Sequence, residues 1–110
     1  MLNRKKGQNP SLLTSGFLAL DVVFGLENSR PRFYAGGTCG NVAAGLAFLG
    51  WDVWPLARLS DDSAGGVVRR DLARWGVKTQ YLSLSPAAPT PIVLERIVRG
   101  KNGVPRHRFL

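Results

Sequence analysis

Segments with the pattern of β-strands alternate along this chain with segments that have the pattern of α-helices, and this alternation restricts the fold most. Strand-like segments lie at residues 12–20, 52–58 and 79–84, and a helix-like segment lies at residues 42–49. A second helix is predicted after Ser63. Strands that alternate with helices are typical of a parallel α/β sheet. We therefore predict an α/β fold.

The first strand is predicted at residues 12–20, which are apolar on both faces and too few for a stable helix. Asp21 follows directly and is expected at the carboxyl end of that strand. Short β-like segments are predicted at 22–25 and 32–35, separated by a polar turn at 27–31. Parallel α/β sheets bind ligands at their carboxyl edge, so Asp21 is a candidate binding residue.

The middle of the chain carries local signals for a strand, a helix and a cap. Pro55 lies inside the strand predicted at 52–58 and lacks an N–H, which predicts an edge or locally broken strand. Asp61 and Asp62 precede the second helix and are typical capping residues. Along that helix one apolar stripe is predicted, with Arg69, Arg70 and Arg74 in solvent and Asp71 paired with Arg74.

The last stretch predicts a β-hairpin. Residues 92–99 and 104–110 have strand patterns on either side of Gly100-Lys101-Asn102-Gly103. Asn-Gly favours a tight turn because both residues tolerate positive φ. His107, which lies between two arginines, is expected to be solvated.

The glycine-rich segment 35–41 is the strongest candidate for a binding loop. Adjacent Gly36 and Gly37 allow the backbone to approach a ligand, and the following helix directs free N–H groups to the same place. Asn41 can donate to and accept from hydroxyl groups. The segment lacks the Gly-Lys-Ser/Thr of a Walker A loop and is not a dinucleotide fingerprint. On these residues alone, a turn that only packs a helix against a strand explains it equally well.

The net charge of +8 suggests a nucleic-acid partner, but its distribution argues against one. The excess of basic residues lies in the first ten and last sixteen residues, with no aromatic-rich basic motif beside it. Residues 1–10 are predicted to be a basic disordered leader. The apolar run at 12–20 is too short and too diluted for a membrane span. Cys39 is the single cysteine, which suits a reducing compartment and excludes a multi-cysteine metal site; it is expected to line the pocket.

Several motifs together resemble the ribokinase-like (PfkB) carbohydrate kinases. Gly36-Gly37 with Asn41 at a helix start is similar to that family's N-terminal motif. Gly16 and Asp21 resemble its first strand and substrate-binding aspartate. The acidic turn Asp61-Asp62 with Gly65, and then Thr90-Pro91, resemble later landmarks in the family's order. The match runs along nearly the whole chain from Gly16.

The resemblance implies a fold, a site and partners. The fold is the start of a doubly wound, Rossmann-like parallel sheet with a small β lid, formed by residues 22–35 and 92–110 within a truncated domain of 11–110. Asp21, Gly36, Gly37 and Asn41 are implied to bind the hydroxyls of a sugar or nucleoside. The family uses ATP and Mg²⁺, and its full-length members can dimerise through the lid. The cytoplasmic location is expected from the N-terminal residues themselves, which favour a buried strand behind a short leader over a signal peptide.

The resemblance also implies what this chain lacks. Family members carry a catalytic Asp in a Gly-Ala-Gly-Asp motif, with a nucleotide-binding region around it, and neither is present in these 110 residues. No catalytic residue and no site for ATP or metal is therefore assigned. We expect the substrate-binding part of a carbohydrate kinase, inactive alone. Two alternatives stay open, a stand-alone α/β module that binds a polyol or nucleoside, and a basic nucleic-acid adaptor.

Overall fold

The computed structural model describes residues 7–26 and 30–110. These residues form seven strands, two α-helices and one short 3-10 turn. In chain order the elements are β1 (Ser11–Ser15), β2 (Ala19–Phe24), β3 (Arg32–Gly36), α1 (Gly37–Phe48), β4 (Asp52–Leu59), α2 (Ser63–Arg74), β5 (Leu82–Leu84), β6 (Ile92–Arg99), the 3-10 turn (Lys101–Gly103) and β7 (Pro105–Phe109).

A three-stranded parallel sheet, in the order β1-β4-β5, is the centre of the fold. The helices α1 and α2 separate its strands in sequence, so the predicted parallel α/β sheet is confirmed. The core includes Val53 and Leu59 of β4, Val68 and Leu72 of α2, and Ala43 of α1, each with no exposed surface. Val68 and Leu72 of the apolar stripe predicted for α2 enter this core, whereas Trp75, the last residue of that stripe, is 41% exposed.

Of the two alternatives predicted for the strand with Pro55, an edge position is wrong, because β4 is the middle strand. A local break describes it better, because its pairing on one side is incomplete around Pro55. The carbonyl of Val53 accepts a hydrogen bond from the N–H of Lys78, so odd-numbered residues of β4 direct their backbone groups toward the β5 side. On that side pairing begins only at Ala57, opposite Leu82. Pro55 therefore removes no ladder bond.

The prediction of one strand at residues 12–20 is also wrong. The chain breaks at Gly16, which has a φ of 141°, and continues as β2 in a second sheet. Asp21 is consequently the third residue of β2, and does not end a strand of the parallel sheet.

The second sheet has four strands in the order β3-β2-β6-β7. β2 pairs antiparallel with β3 and parallel with β6, and β6 pairs antiparallel with β7. The segments predicted to form a lid, 22–35 and 92–110, thus lie together in one sheet. Asn102 and Gly103 have φ values of 68° and 73°, which confirms the predicted hairpin turn.

The two helices match their predictions unequally. Asp62 is the N-cap of α2 and accepts a hydrogen bond from the Gly65 N–H at 2.8 Å, as the capping pattern predicts. α1 begins at Gly37, five residues before the predicted start at 42. Glycine is a poor helix former, but here the N–H of Cys39 donates to the Phe17 carbonyl and fixes the first turn.

Two predictions fall partly outside the described residues. Of the leader 1–10, residues 1–6 are not described; Pro10 already belongs to the fold, because its carbonyl accepts a bond from the Asp52 N–H. Of the turn 27–31, residues 27–29 are not described. In the described part of the chain, no helix is long and apolar enough to cross a membrane.

Candidate functional site

One face of the four-stranded sheet borders a cleft of about 650 Å³. Side chains alternate between the two faces of a strand, so Asp21 and Val23 of β2 lie on the cleft face. The strand pairing adds Tyr34, opposite Asp21, and Glu95, opposite Val23. The cleft is lined by Asp21, Val23, Gly25, Leu26, Arg30, Arg32, Tyr34, Ala35, Asn41, Glu95, Ile97 and His107.

Asp21 lies against the backbone of the glycine loop. A Cβ on Gly36 would stand 2.1 Å from the Asp21 carboxyl, so only glycine leaves room for this carboxylate. Burial raises the pKa of Asp21 above its ordinary value, because desolvation disfavours the charged form. A half-buried carboxylate is a strong hydrogen-bond acceptor for hydroxyl groups.

Of the remaining residues predicted for the site, Asn41 lines the cleft and Gly37 lies behind it. Asn41 lies in the first turns of α1, is exposed and lines the cleft. Gly37 has a φ of 80°, and a Cβ there would stand 2.3 Å from the Phe17 carbonyl oxygen. The structure therefore brings Asp21 and Asn41 to the cleft, with Gly36 and Gly37 supporting them.

Glu95 and His107 form a carboxylate–imidazole pair in the cleft that the sequence reasoning missed. The Nδ1–H of His107 donates to the Glu95 carboxylate, whose side chain is 10% exposed against 59% for His107. His107 was expected to be solvated among arginines. The sequence signal that indicates Glu95 as a cleft residue is the alternation of side chains along β6, which places Val93, Glu95 and Ile97 on one face.

The acidic turn that resembles the family motif has a structural role here. Asp62 accepts hydrogen bonds from the N–H groups of Gly65 and Thr90, and the Thr90 hydroxyl accepts one from the Ser60 N–H. The backbone bonds from Thr90 and Gly65 lower the pKa of Asp62. This cluster joins the start of α2 to the segment that enters β6, and so positions β6 beside the cleft.

Two further acidic or nucleophilic residues are also structural. Asp71 is buried, pairs with Arg74 at 2.6 Å as predicted, and accepts from the Ala35 N–H at 2.8 Å. Cys39 was expected to line the pocket, but it is 2% exposed in the core beside the Thr14 hydroxyl. Among the described residues, no three His, Cys, Asp or Glu side chains stand close enough to hold a metal ion.

The sequence matches the model of the pfkB family carbohydrate kinases over residues 16–104. The chain belongs to this family. No curated protein matches its sequence. The family model covers β2, β3 and the start of α1, and hence Asp21 and the glycine loop.

Solved structures of sugar kinases share the fold. An uncharacterized sugar kinase from Pyrococcus horikoshii is 23% identical with a TM-score of 0.70, covering 90% of this chain and 35% of its own. A fructokinase with bound ATP from Xylella fastidiosa is 25% identical with a TM-score of 0.67, covering 90% and 30%. A putative ribokinase from Agrobacterium tumefaciens is 19% identical with a TM-score of 0.73, covering 94% and 36%. This pfkB-family chain thus spans about a third of the length of the structures that it matches.

Proposed function

We propose that the cleft binds a sugar or nucleoside, and that the chain is the substrate-binding part of an ATP-dependent carbohydrate kinase. The observation that carries the proposal is the Asp21 carboxylate held against Gly36 at the cleft, with Asn41 on the same lining. Asp21 accepts hydrogen bonds from hydroxyls, while the Asn41 amide both donates and accepts. Family membership supports a polyol over other hydroxylated ligands.

The transfer of phosphate requires groups beyond those described. Phosphoryl transfer depends on a base that orients the attacking hydroxyl and on groups that neutralise the phosphate charge. The sequence lacks the Gly-Ala-Gly-Asp motif in which the family carries that base, so its residues do not fit the chemistry of Mg²⁺-ATP. We propose that these 110 residues bind the acceptor without phosphorylating it.

Partners and location follow from the same proposal. The face of the four-stranded sheet opposite the cleft exposes Phe33, Ile92 and Leu94, an apolar surface that supports dimerisation through this sheet. Cys39 is a free thiol, which suits a reducing compartment, and we propose a cytoplasmic location.

Binding of neutral sugars tests the proposed function. Ribose, fructose, glucose and adenosine are titrated into the 110-residue chain, with two-dimensional NMR shifts and melting temperature as readouts. We expect at least one to shift the amides around Gly36 and Asn41, and Asp21→Asn to weaken its binding by at least about tenfold. The matched variant Asp61→Asn, at an exposed acid outside the cleft, should bind like the parent.

A stability measurement separates a binding defect from misfolding. The raised pKa of Asp21 means that its ionised form destabilises the folded chain at neutral pH. Asp21→Asn should therefore unfold at the same or a higher temperature than the parent while binding less. The proposal fails if no sugar or nucleoside shifts the cleft amides, or if Asp21→Asn binds as the parent does. Added ATP should yield no phosphorylated product with this chain.

A further inference from the structure

The side of the cleft formed by β6 and β7 offers a ligand one polar side-chain atom, and that atom belongs to His107. Among the described residues, this side of the lining consists of Glu95, Ile97 and His107. Ile97 is apolar, and the Glu95 carboxylate already accepts a hydrogen bond from the Nδ1–H of His107. The other ring nitrogen, Nε2, has no partner in residues 7–26 and 30–110.

The two members of this pair differ in exposure, and each fixes a property of the other. The Glu95 side chain is nearly buried, whereas most of the His107 side chain is exposed. A buried carboxylate needs a hydrogen-bonding partner, which the imidazole supplies. The carboxylate in turn orients the ring and keeps a proton on Nδ1. In the neutral ring Nε2 then carries a lone pair, which can accept a hydrogen bond from a hydroxyl group.

The hairpin does not need this pair in order to form. β6 and β7 pair in register from Glu95 to Arg99, and the turn between them has a positive φ at Asn102 and at Gly103. Turn geometry and strand pairing together set the register of a hairpin. Apolar side chains of similar size usually stabilise a fold at least as well as a buried ion pair. A buried carboxylate beneath an exposed imidazole therefore points to a role in binding.

The imidazole lies within reach of a ligand that is bound at Asp21. β2 and β6 are parallel neighbours, in which Asp21 pairs with Val93 and Val23 pairs with Glu95. Asp21 and Glu95 are thus one strand and two residues apart, which is about 8 Å between their Cα atoms. Because the His107 ring lies against the Glu95 carboxylate, one sugar ring can contact both groups.

We propose that Nε2 of His107 is a second hydroxyl-binding point of the cleft, across from Asp21 and Asn41, and that Glu95 is the positioning residue that holds the ring. The inference rests on the proposed function and adds a specificity-determining residue to it. A sugar carries hydroxyls around its whole ring, and a hydroxyl that left water for this side of the cleft without a partner would weaken binding. His107 supplies that partner.

The imidazole can be observed directly, because His107 is the one histidine among the 110 residues. The ¹⁵N-labelled chain is titrated with ribose, fructose, glucose and adenosine at about pH 8, where an ordinary imidazole is neutral. Long-range proton–nitrogen correlation spectra distinguish a protonated Nδ1 from an unprotonated Nε2. We expect the ligand that shifts the amides of Gly36 and Asn41 to shift the Nε2 resonance as well, with the same dissociation constant.

Substitutions on the two strands locate the effect. His107→Leu should weaken binding by about three- to tenfold, which corresponds to one lost hydrogen bond. The matched control Arg108→Leu places the same side chain at the next position of β7, on the opposite face, and should change the affinity by less than about twofold. Glu95→Gln should move part of the ring population to the tautomer protonated at Nε2, because an amide can also donate to Nδ1, and should weaken binding in proportion. Circular dichroism checks that each variant is folded.

The outcomes separate this inference from the function on which it rests. If a ligand binds with Asp21 dependence while the Nε2 resonance stays unchanged, or while His107→Leu binds as the parent does, the inference is wrong and the proposed function stands. Equal losses for His107→Leu and Arg108→Leu also overturn it, since the hairpin and not the imidazole would then be required. Parental ring resonances and affinity in Glu95→Gln overturn the role of Glu95. If none of the four ligands shifts the ring or the cleft amides, both proposals are wrong.

Discussion

The Asp62 carboxylate bonds to two segments of the chain at once. One oxygen accepts from the Gly65 N–H at 2.8 Å, and the other accepts from the Thr90 N–H at 2.9 Å. A Cβ at Gly65 would stand 2.1 Å from the Ser60 carbonyl oxygen, so the segments pack too closely for any other residue there. The bonds favour the ionised form of Asp62, and its pKa is lowered.

The stability of the chain should therefore depend on pH through Asp62. The pKa of Asp62 is lower in the folded chain than its value of about 3.8 in the unfolded chain. The contribution of Asp62 to the free energy of unfolding is therefore complete above the unfolded pKa and is lost as the pH falls through the folded pKa. Asn is an equally good N-cap without the charge. Asp62→Asn should be less stable than the parent at pH 6, and should lose less stability between pH 6 and pH 2.5.

Urea unfolding at each pH measures this difference, with Asp61→Asn as the control. Asp61 precedes Asp62, is exposed, and should give the parental pH dependence. Parallel stability curves for the parent and Asp62→Asn across this range would contradict the assignment of the charge to this cluster.

At the scale of elements, α1 depends on the conformation of its first residue. Gly37 has a φ of 80° and lies close to the Phe17 carbonyl. This contact holds the helix start, and with it Asn41, against the segment between β1 and β2. Gly45 lies in the same helix with no heavy atom within 4 Å of an added Cβ.

Alanine substitutions at the two glycines should therefore have opposite effects. Gly37→Ala combines a strained φ with a clash against backbone and should lower the free energy of unfolding by at least about 2 kcal/mol. Gly45→Ala should raise it by about 0.5–1 kcal/mol, because alanine favours the helix. Chemical denaturation of both variants checks this, and similar small effects at the two positions would show that the close approach is not required.

Elements governed by local chemistry could be predicted from the sequence. The Asp62 cap and the positive φ of Asn102 follow from residue type within a few positions, and both are observed. The break at Gly16 was not predicted, because Thr14, Ser15 and Gly16 were counted within one apolar run. The two halves of that run pair with strands from distant parts of the chain, which no local pattern specifies. The Glu95–His107 pair depends on the register between β6 and β7, which no local pattern specifies.

The candidate site could be predicted only in part, because strand pairing between distant segments brings some of its residues together. Asp21 and Asn41 were identified through family resemblance, and the structure brings both to one cleft. Arg32 and Tyr34 reach that cleft only through the pairing of β3 with β2. Their residue types alone gave no reason to separate them from solvated side chains.

At the scale of the whole molecule, neither helix of the described residues covers one face of the parallel sheet. Phe48 of α1 and Trp75 at the end of α2 meet edge to face at 6.0 Å, so both helices lie on the same side. On the other side Leu13 is 59% exposed and Leu56 is 44% exposed, beside a half-buried Trp54. This surface is apolar across two paired strands.

The isolated 110-residue chain should consequently self-associate through this face. Apolar surface of this kind favours association by about 25 cal/mol per Å² removed from water. We expect oligomers whose size increases with concentration in analytical ultracentrifugation. The double variant Leu13→Ser and Leu56→Ser should raise the dissociation constant by at least about tenfold. Val104→Ser, at an exposed valine of the hairpin, should leave it unchanged. A chain that stays monomeric at all concentrations and unfolds in one cooperative transition would refute the expectation, since it would show that these two strands tolerate an open face.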